Sequence, residues 1–119
     1  MKVDNNNQLS AEASTTGGWR YGIYELPNNT NSIYIEELVG TNGTSQSVNH
    51  CPVVAFLNGS TLSDFIIGSE IYGQTTSGGG LYKFTGTVQV PNNATYVAFS
   101  SIYAGSEYAA DMNAMITFN

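Results

Sequence analysis

The sequence predicts an all-β protein: a single antiparallel β-sandwich, jelly-roll-like, with about seven to eight strands and a polar N-terminal arm. Short runs of alternating apolar and polar residues recur along the chain, and turn residues separate them every ~8–12 residues. No segment shows the periodicity of an amphipathic helix. A chain of 119 residues allows one domain with a real core. We expect the arm at residues 1–18 and the sandwich at residues 19–119.

Four predicted strands precede the longest regular stretch of the chain. Residues 19–24 and 32–39 alternate, and in the second segment Ile33, Ile35 and Val39 are in phase. An almost continuous apolar run follows, which is typical of a strand buried on both faces, and then a segment rich in β-branched and aromatic residues. These last two strands are predicted at residues 51–57 and 61–72.

The longest regular stretch is LYKFTGTVQVPNNATYVAFSSIY, residues 81–103. It predicts two strands that form a hairpin around Pro91, because proline cannot donate to a β-ladder and the asparagines after it tolerate turn conformations. The exposed face of the first strand is bland, so no function is expected there. That face carries Lys83, Thr85, Thr87 and Gln89. A last strand is predicted at residues 112–118.

The charge balance excludes two classes of partner. The formal net charge is −6 and there are only three Lys and Arg residues, whereas nucleic-acid binding needs clustered cations. An anionic membrane surface is disfavoured for the same reason, and no apolar run approaches the ~20 residues of a membrane span. We therefore expect no nucleic-acid partner and no membrane insertion. The single cysteine, Cys51, lies in an apolar run and is predicted to be a buried hydrophobe without a disulfide partner.

The turn sequence TVQVPNNATYVAFS, residues 87–100, resembles a pattern found in bacteriophage tail-fibre and virion proteins. There, a small jelly-roll sandwich similar to carbohydrate-binding modules ends with a valine-proline pair, an alanine and an aromatic-rich strand. The run VVAFLNG at residues 53–59, followed by Asp64, Phe65 and Ile66, fits the same pattern. The resemblance covers residues 17–118. It implies a non-catalytic adhesive or structural role on a particle, commonly within a trimer, and it transfers no sugar-binding residues.

No catalytic or metal-binding constellation is evident, so we expect no enzyme activity. A nucleophilic mechanism would depend on His50, the only histidine, and its neighbour Cys51 would point to the opposite strand face. The acidic residues are interpreted as solvated strand and loop side chains, including the adjacent Glu36 and Glu37. Calcium is the one cofactor weighed, since Asp64, Glu70 and Asp111 could supply hard oxygen ligands near asparagines.

Aromatic residues are the better lead to function. A tyrosine or tryptophan ring can stack on the apolar face of a sugar while polar side chains bond its hydroxyls; the same rings also suit a core or a subunit interface. Predicted strand ends and loops supply a candidate glycan platform, which consists of Trp19, Tyr21, Tyr24, Asn58, Asp64, Tyr72 and Tyr108.

The function that these features predict is that of a non-enzymatic bacteriophage virion protein, a capsid-decoration or tail-fibre accessory. It would sit on the virion surface as a homo-oligomer, trimer favoured, contacting other virion subunits and host-surface glycan. A pure assembly protein without glycan affinity is the second hypothesis. The third is an extracellular carbohydrate-binding module or lectin from a secreted bacterial protein. The adhesin-like composition without a signal-peptide region fits either a virion component or an excised fragment.

Overall fold

The computed structural model describes residues 2–10, 21–40, 52–72, 74–75, 82–101 and 113–119. Within these ranges the regular structure is ten antiparallel strands and one short 3-10 turn, so the all-β prediction is confirmed. The strands are β1 (Lys2–Val3), β2 (Leu9–Ser10), β3 (Tyr21–Glu25), β4 (Ser32–Gly40), β5 (Pro52–Leu57), β6 (Ile71–Tyr72), β7 (Gln74–Thr75), β8 (Tyr82–Gln89), β9 (Tyr96–Ser101) and β10 (Asn113–Phe118). The 3-10 turn spans Leu62–Asp64.

Eight of these strands form two four-stranded sheets that pack face to face as a small sandwich. The first sheet has the order β10-β4-β8-β7, and the second has the order β3-β9-β5-β6. Only one residue separates β6 from β7, so this segment passes from the second sheet into the first. If β6 and β7 are counted as one strand and the β1–β2 hairpin is left out, the sandwich has the predicted number of strands.

The inner core lies between the sheets and takes side chains from both of them. Alternation along each strand sends every second residue into it. Its buried members, here called the inner cluster, are Leu26, Ile33, Ile35, Val54, Phe56, Val88, Val97 and Phe99. The predicted double burial of the third strand is confirmed, because residues 53–57 are all at most 1% exposed.

The outer face of the second sheet carries a separate buried group, which we call the outer cluster: Leu9, Val53, Ala55, Leu57 and Ala98. Its cover comes from the β1–β2 hairpin, which contributes Leu9 and Val3, and from Leu62 and Phe65 beyond the end of β5. Residues 2–10 of the predicted arm therefore pack against the sandwich. The predicted boundary between arm and domain lies outside the described residues.

The asparagine run near the N-terminus is the turn of this hairpin. The carboxylate of Asp4 accepts hydrogen bonds from the backbone N–H groups of Asn6, at 2.8 Å, and Gln8, at 3.0 Å. Asn7 adopts a left-handed conformation with φ 58°, which asparagine tolerates better than most residues. Consecutive asparagines next to an aspartate thus close a tight turn rather than extend a loose tail.

The predicted hairpin within residues 81–103 is wrong, although its turn is present. β8 pairs with β4 and β7 in the first sheet, whereas β9 pairs with β3 and β5 in the second. The turn at Pro91, closed by the Ala94 N–H donating to the Pro91 carbonyl at 3.0 Å, carries the chain across the ~10 Å between packed sheets. Val88 of β8 and Val97 of β9 therefore reach the inner cluster from opposite sheets.

The predicted strand at residues 61–72 is also wrong over most of its length. A 3-10 turn forms at Leu62–Asp64, and a tight turn follows in which Gly68 has a positive φ of 85°. Only Ile71–Tyr72 is strand. The hydroxyl of Ser69 accepts from the N–H of Phe56 at 3.1 Å and donates to its carbonyl at 3.3 Å, so a side chain replaces the strand ladder there.

One predicted alternation is interrupted by a bulge in β4. Its register against β8 shifts between Ile35 and Leu38, and its register against β10 shifts at the same place. Ile33, Ile35 and Leu38 pair with Val88, Gly86 and Phe84, which are every second residue of β8. Leu38, and not Val39 as predicted, is therefore in phase with Ile33 and Ile35 beyond the bulge. In the part of the chain that the structure describes, no helix is long and apolar enough to cross a membrane.

Candidate functional site

The outward face of the first sheet carries an exposed aromatic ring among hydroxyl and amide side chains. Ile33 and Ile35 point into the inner cluster, so the residue between them, Tyr34, points outward and is 40% exposed. In the register of the sheet, Thr117 of β10 and Thr87 of β8 lie directly opposite Tyr34 on its two sides. The three residues form one row across the sheet.

The neighbouring positions extend this row into a larger surface on the same face of the sheet. Ser32 pairs with Gln89 in the next row, and Thr85 lies two residues from Thr87 on the same face of β8. The exposed side chains described on this surface are uncharged. We call it the Tyr34 face, and it consists of Ser32, Tyr34, Thr85, Thr87, Gln89 and Thr117.

The chemistry of the Tyr34 face suits a neutral polyhydroxylated ligand. Opposed side chains on adjacent strands have Cβ atoms about 5 Å apart, so the side chains of Thr87 and Thr117 lie next to Tyr34. A phenol ring offers an apolar face for stacking, and hydroxyl and amide groups both donate and accept hydrogen bonds. The sequence pattern predicts no function for Thr85, Thr87 and Gln89, and Tyr34 is not among the predicted platform residues. Strand alternation could have identified Tyr34 as outward-facing, because it lies between Ile33 and Ile35, which are both buried.

Tyr24, a predicted platform residue, is the most exposed tyrosine among those with a described side chain, at 56%. It lies on the edge strand β3 opposite Val97, with its ring tilted against that of Phe99 at a centroid distance of 5.9 Å. The ring also lies over Gly22, where a Cβ atom would come within 2.7 Å of it. Tyr24 therefore borders the inner cluster at the rim of the sandwich.

Tyr72 lies at the other edge of the same sheet and on its other face. It pairs with Val53, is partly buried, and packs against the outer cluster. Tyr24 and Tyr72 are therefore on opposite faces and opposite edges of the second sheet, and they cannot bind one small ligand together. The backbone of Tyr21 lies in the same row as Tyr72, about 14 Å away across three strand spacings.

Asn58 and Asp64 are brought together, but Asp64 is occupied in holding its own loop. The Asn58 N–H donates to the Asp64 carbonyl at 2.9 Å. The Asp64 Oδ2 atom accepts from the Thr61 N–H at 3.1 Å and from the Thr61 hydroxyl at 2.9 Å. This loop follows Leu57, about 13 Å along β5 from the Val53 that pairs with Tyr72. Among the platform residues that the structure describes, only the Asn58–Asp64 pair shares a location.

Two platform residues, Trp19 and Tyr108, lie outside the described residues, as do His50, Cys51 and Asp111. Of the two calcium candidates that are described, Asp64 is bound to Thr61. Glu70 has a buried Oε2 atom that accepts no hydrogen bond within the described part. Across those same ranges no cluster of three or more His, Cys, Asp or Glu side chains forms. The calcium site stays a prediction.

Comparison of the chain with models of protein families, with curated proteins and with solved structures finds no match in any of the three. The resemblance to tail-fibre and virion domains therefore stays a prediction. What the structure supplies in its own right is the sandwich and the side-chain chemistry on its surfaces.

Proposed function

We propose that this protein is a non-enzymatic adhesion module that binds glycan through the Tyr34 face. The observation that carries the proposal is the row of Thr117, Tyr34 and Thr87 across the first sheet. An exposed ring with hydroxyl groups on both sides matches a sugar, which presents one apolar face and a rim of hydroxyls. The outward face of a sheet is open, so it suits an extended chain of sugars better than a single buried sugar.

The setting that we propose for this module is the surface of a bacteriophage virion, as a decoration or tail-fibre accessory protein. The strand order supports the jelly-roll part of that proposal, because most consecutive strands alternate between the two sheets, as in a wrapped double Greek key. The alternative setting is an extracellular carbohydrate-binding module or lectin of a secreted bacterial protein. Either setting uses the same Tyr34 face.

The experiment is a glycan array probed with the full chain and with two tyrosine variants. Tyr34→Ala should weaken binding by at least about tenfold, because it removes the stacking ring and the apolar contact at the centre of the site. Tyr24→Ala is the control, since it removes another exposed tyrosine ring from a different part of the molecule, and it should leave binding unchanged.

Other outcomes would redirect the proposal. Binding that survives Tyr34→Ala but is lost with Tyr24→Ala would place the site at the rim of the sandwich. No binding to any glycan, together with tight binding to purified phage particles, would support the assembly role instead.

A further inference from the structure

The two lateral sides of the sandwich differ in how their strand edges are protected. On one side the edges are β6 and β7, which have two residues each and are nearly continuous with one another. On the other side the edges are the longer strands β3 and β10. An unprotected long edge strand is a template for pairing with another strand, and soluble proteins usually guard such edges with charges, proline or short length.

Of the two long edges, β3 is guarded and β10 is not. β3 ends at the exposed Glu25, and Pro27 follows two residues later. β10 has the sequence NAMITF, without a charge or a proline, and the residue after it is Asn119. In a chain with a net charge of −6, an uncharged edge is the place where two copies can approach with the least repulsion.

In the part of the chain that the structure describes, no strand pairs with the outer side of the β10 backbone. Asn119 and Ser32 exchange both backbone hydrogen bonds, at 2.8 and 3.4 Å, so position 119 points its N–H and C=O toward β4. In an antiparallel ladder this orientation alternates, and the N–H and C=O groups of Ile116 and Phe118 therefore point away from β4. Within the described residues these outward groups have no backbone partner.

An exposed apolar side chain lies at the end of the same edge. Phe118 is 37% exposed and pairs with Ile33, so it lies on the opposite face of the first sheet from Tyr34. A large hydrophobic side chain that stays exposed on an unpaired strand is typical of a surface that a partner covers.

We propose that β10 pairs with β10 of a second copy of this chain, antiparallel and about a two-fold axis near Ile116. Ile116 of each copy would then face its counterpart and Phe118 would face Ala114, which gives about six backbone hydrogen bonds. No like charges oppose each other in this register. The interaction is isologous, so it closes as a dimer rather than continuing as a fibre.

The pairing has a consequence for adhesion, which rests on the proposed function. It joins two four-stranded sheets into one continuous eight-stranded sheet and places two copies of the Tyr34 face side by side. Two weak sites on one rigid surface bind a repeating glycan with much higher avidity than one site alone. The family resemblance implies a trimer, whereas this edge favours a pair.

The test is sedimentation equilibrium of the full chain without glycan, over a wide range of protein concentration. The unmodified chain should shift toward twice its 12.7 kDa mass as its concentration rises. Thr117→Lys adds a guarding charge to the edge strand and should weaken the dimer by at least about tenfold. Thr95→Lys places the same charge at an exposed position outside β10 and should leave the dimer intact.

A second pair of variants tests the backbone contact itself. Phe118→Pro removes an outward N–H without breaking the bonds to β4 and should dissociate the dimer, whereas Phe118→Ala keeps that N–H and should retain most of it. A chain that stays monomeric at every concentration would overturn the proposal, as would a dimer that survives both Thr117→Lys and Phe118→Pro.

Phe118→Pro, unlike Thr117→Lys, also separates this inference from the proposed function. Phe118→Pro leaves every side chain of the Tyr34 face in place. It should lower binding to a densely coated glycan surface and leave the affinity for a soluble short oligosaccharide unchanged. A dimer that binds no glycan would refute the adhesion role and keep the pairing.

Discussion

The two faces of the second sheet are both buried, but by different kinds of structure. The inner face packs against another sheet, whereas the outer face is covered by a short hairpin, a 3-10 turn and the side chain of Phe65. Strand β5 consequently has no solvent face: Phe56 is 1% exposed on one side and Leu57 is 0% exposed on the other. The irregular segments therefore bury the outer face of β5 as completely as the first sheet buries its inner face.

The largest effect should come from truncating the inner cluster at its bulkiest fully buried residue. Phe56→Ala should lower the free energy of unfolding by about 4 kcal/mol, because it leaves a cavity between the sheets. Leu57→Ala is the corresponding truncation in the outer cluster and should lower the free energy of unfolding by about 3 kcal/mol. Urea unfolding followed by circular dichroism measures both. A cost near zero for Leu57→Ala would mean that the outer face is open in solution.

A smaller effect should follow from loosening the cover of the outer cluster. Leu9 is 5% exposed and is the buried anchor of the β1–β2 hairpin, so Leu9→Ala should destabilise the fold by about 2 kcal/mol. Gln8→Ala changes the exposed neighbour and should have almost no effect. Equal stability of the two variants in urea unfolding would show that the hairpin does not dock on the sheet.

The smallest effect should come from the loop that completes the cover. Asp64→Ala removes both hydrogen bonds to Thr61 and should cost about 1 kcal/mol of unfolding free energy, with faster hydrogen exchange at the Thr61 amide. Ser60→Ala, an exposed change in the same loop, is the control. Unchanged exchange in Asp64→Ala would contradict a structural role and return Asp64 to the candidate ligands.

The strands could be predicted from the sequence largely because alternation is a local property. Ile33, Ile35, Val88 and Val97 all lie where their alternation places them, in the inner cluster. Strand pairing is not local. Nothing within residues 81–103 shows that β8 pairs with β4 rather than with β9, because that choice depends on burial against distant segments.

The candidate site shows the same limit. Tyr34 could have been recognised as outward-facing, but its neighbours Thr87 and Thr117 come from strands far along the chain. Asp64 was predicted as a ligand although the spacing from Thr61 is that of a capping box, a pattern that indicates a local structural role. Polar residues near turns are therefore best tested for local hydrogen bonds before function is assigned to them.

The passage of the chain from β6 to β7 across a single residue also determines where the two sheets can transiently separate. On that side both sheets are held by one covalent segment, and their separation would require strand contacts to break in both at once. On the opposite side β3 and β10 belong to different sheets and come from distant parts of the chain. The two sheets should therefore separate first on the side of β3 and β10 while the side of β6 and β7 stays closed. In hydrogen exchange, the amides of β3 and β10 should exchange before those of β5 and β8.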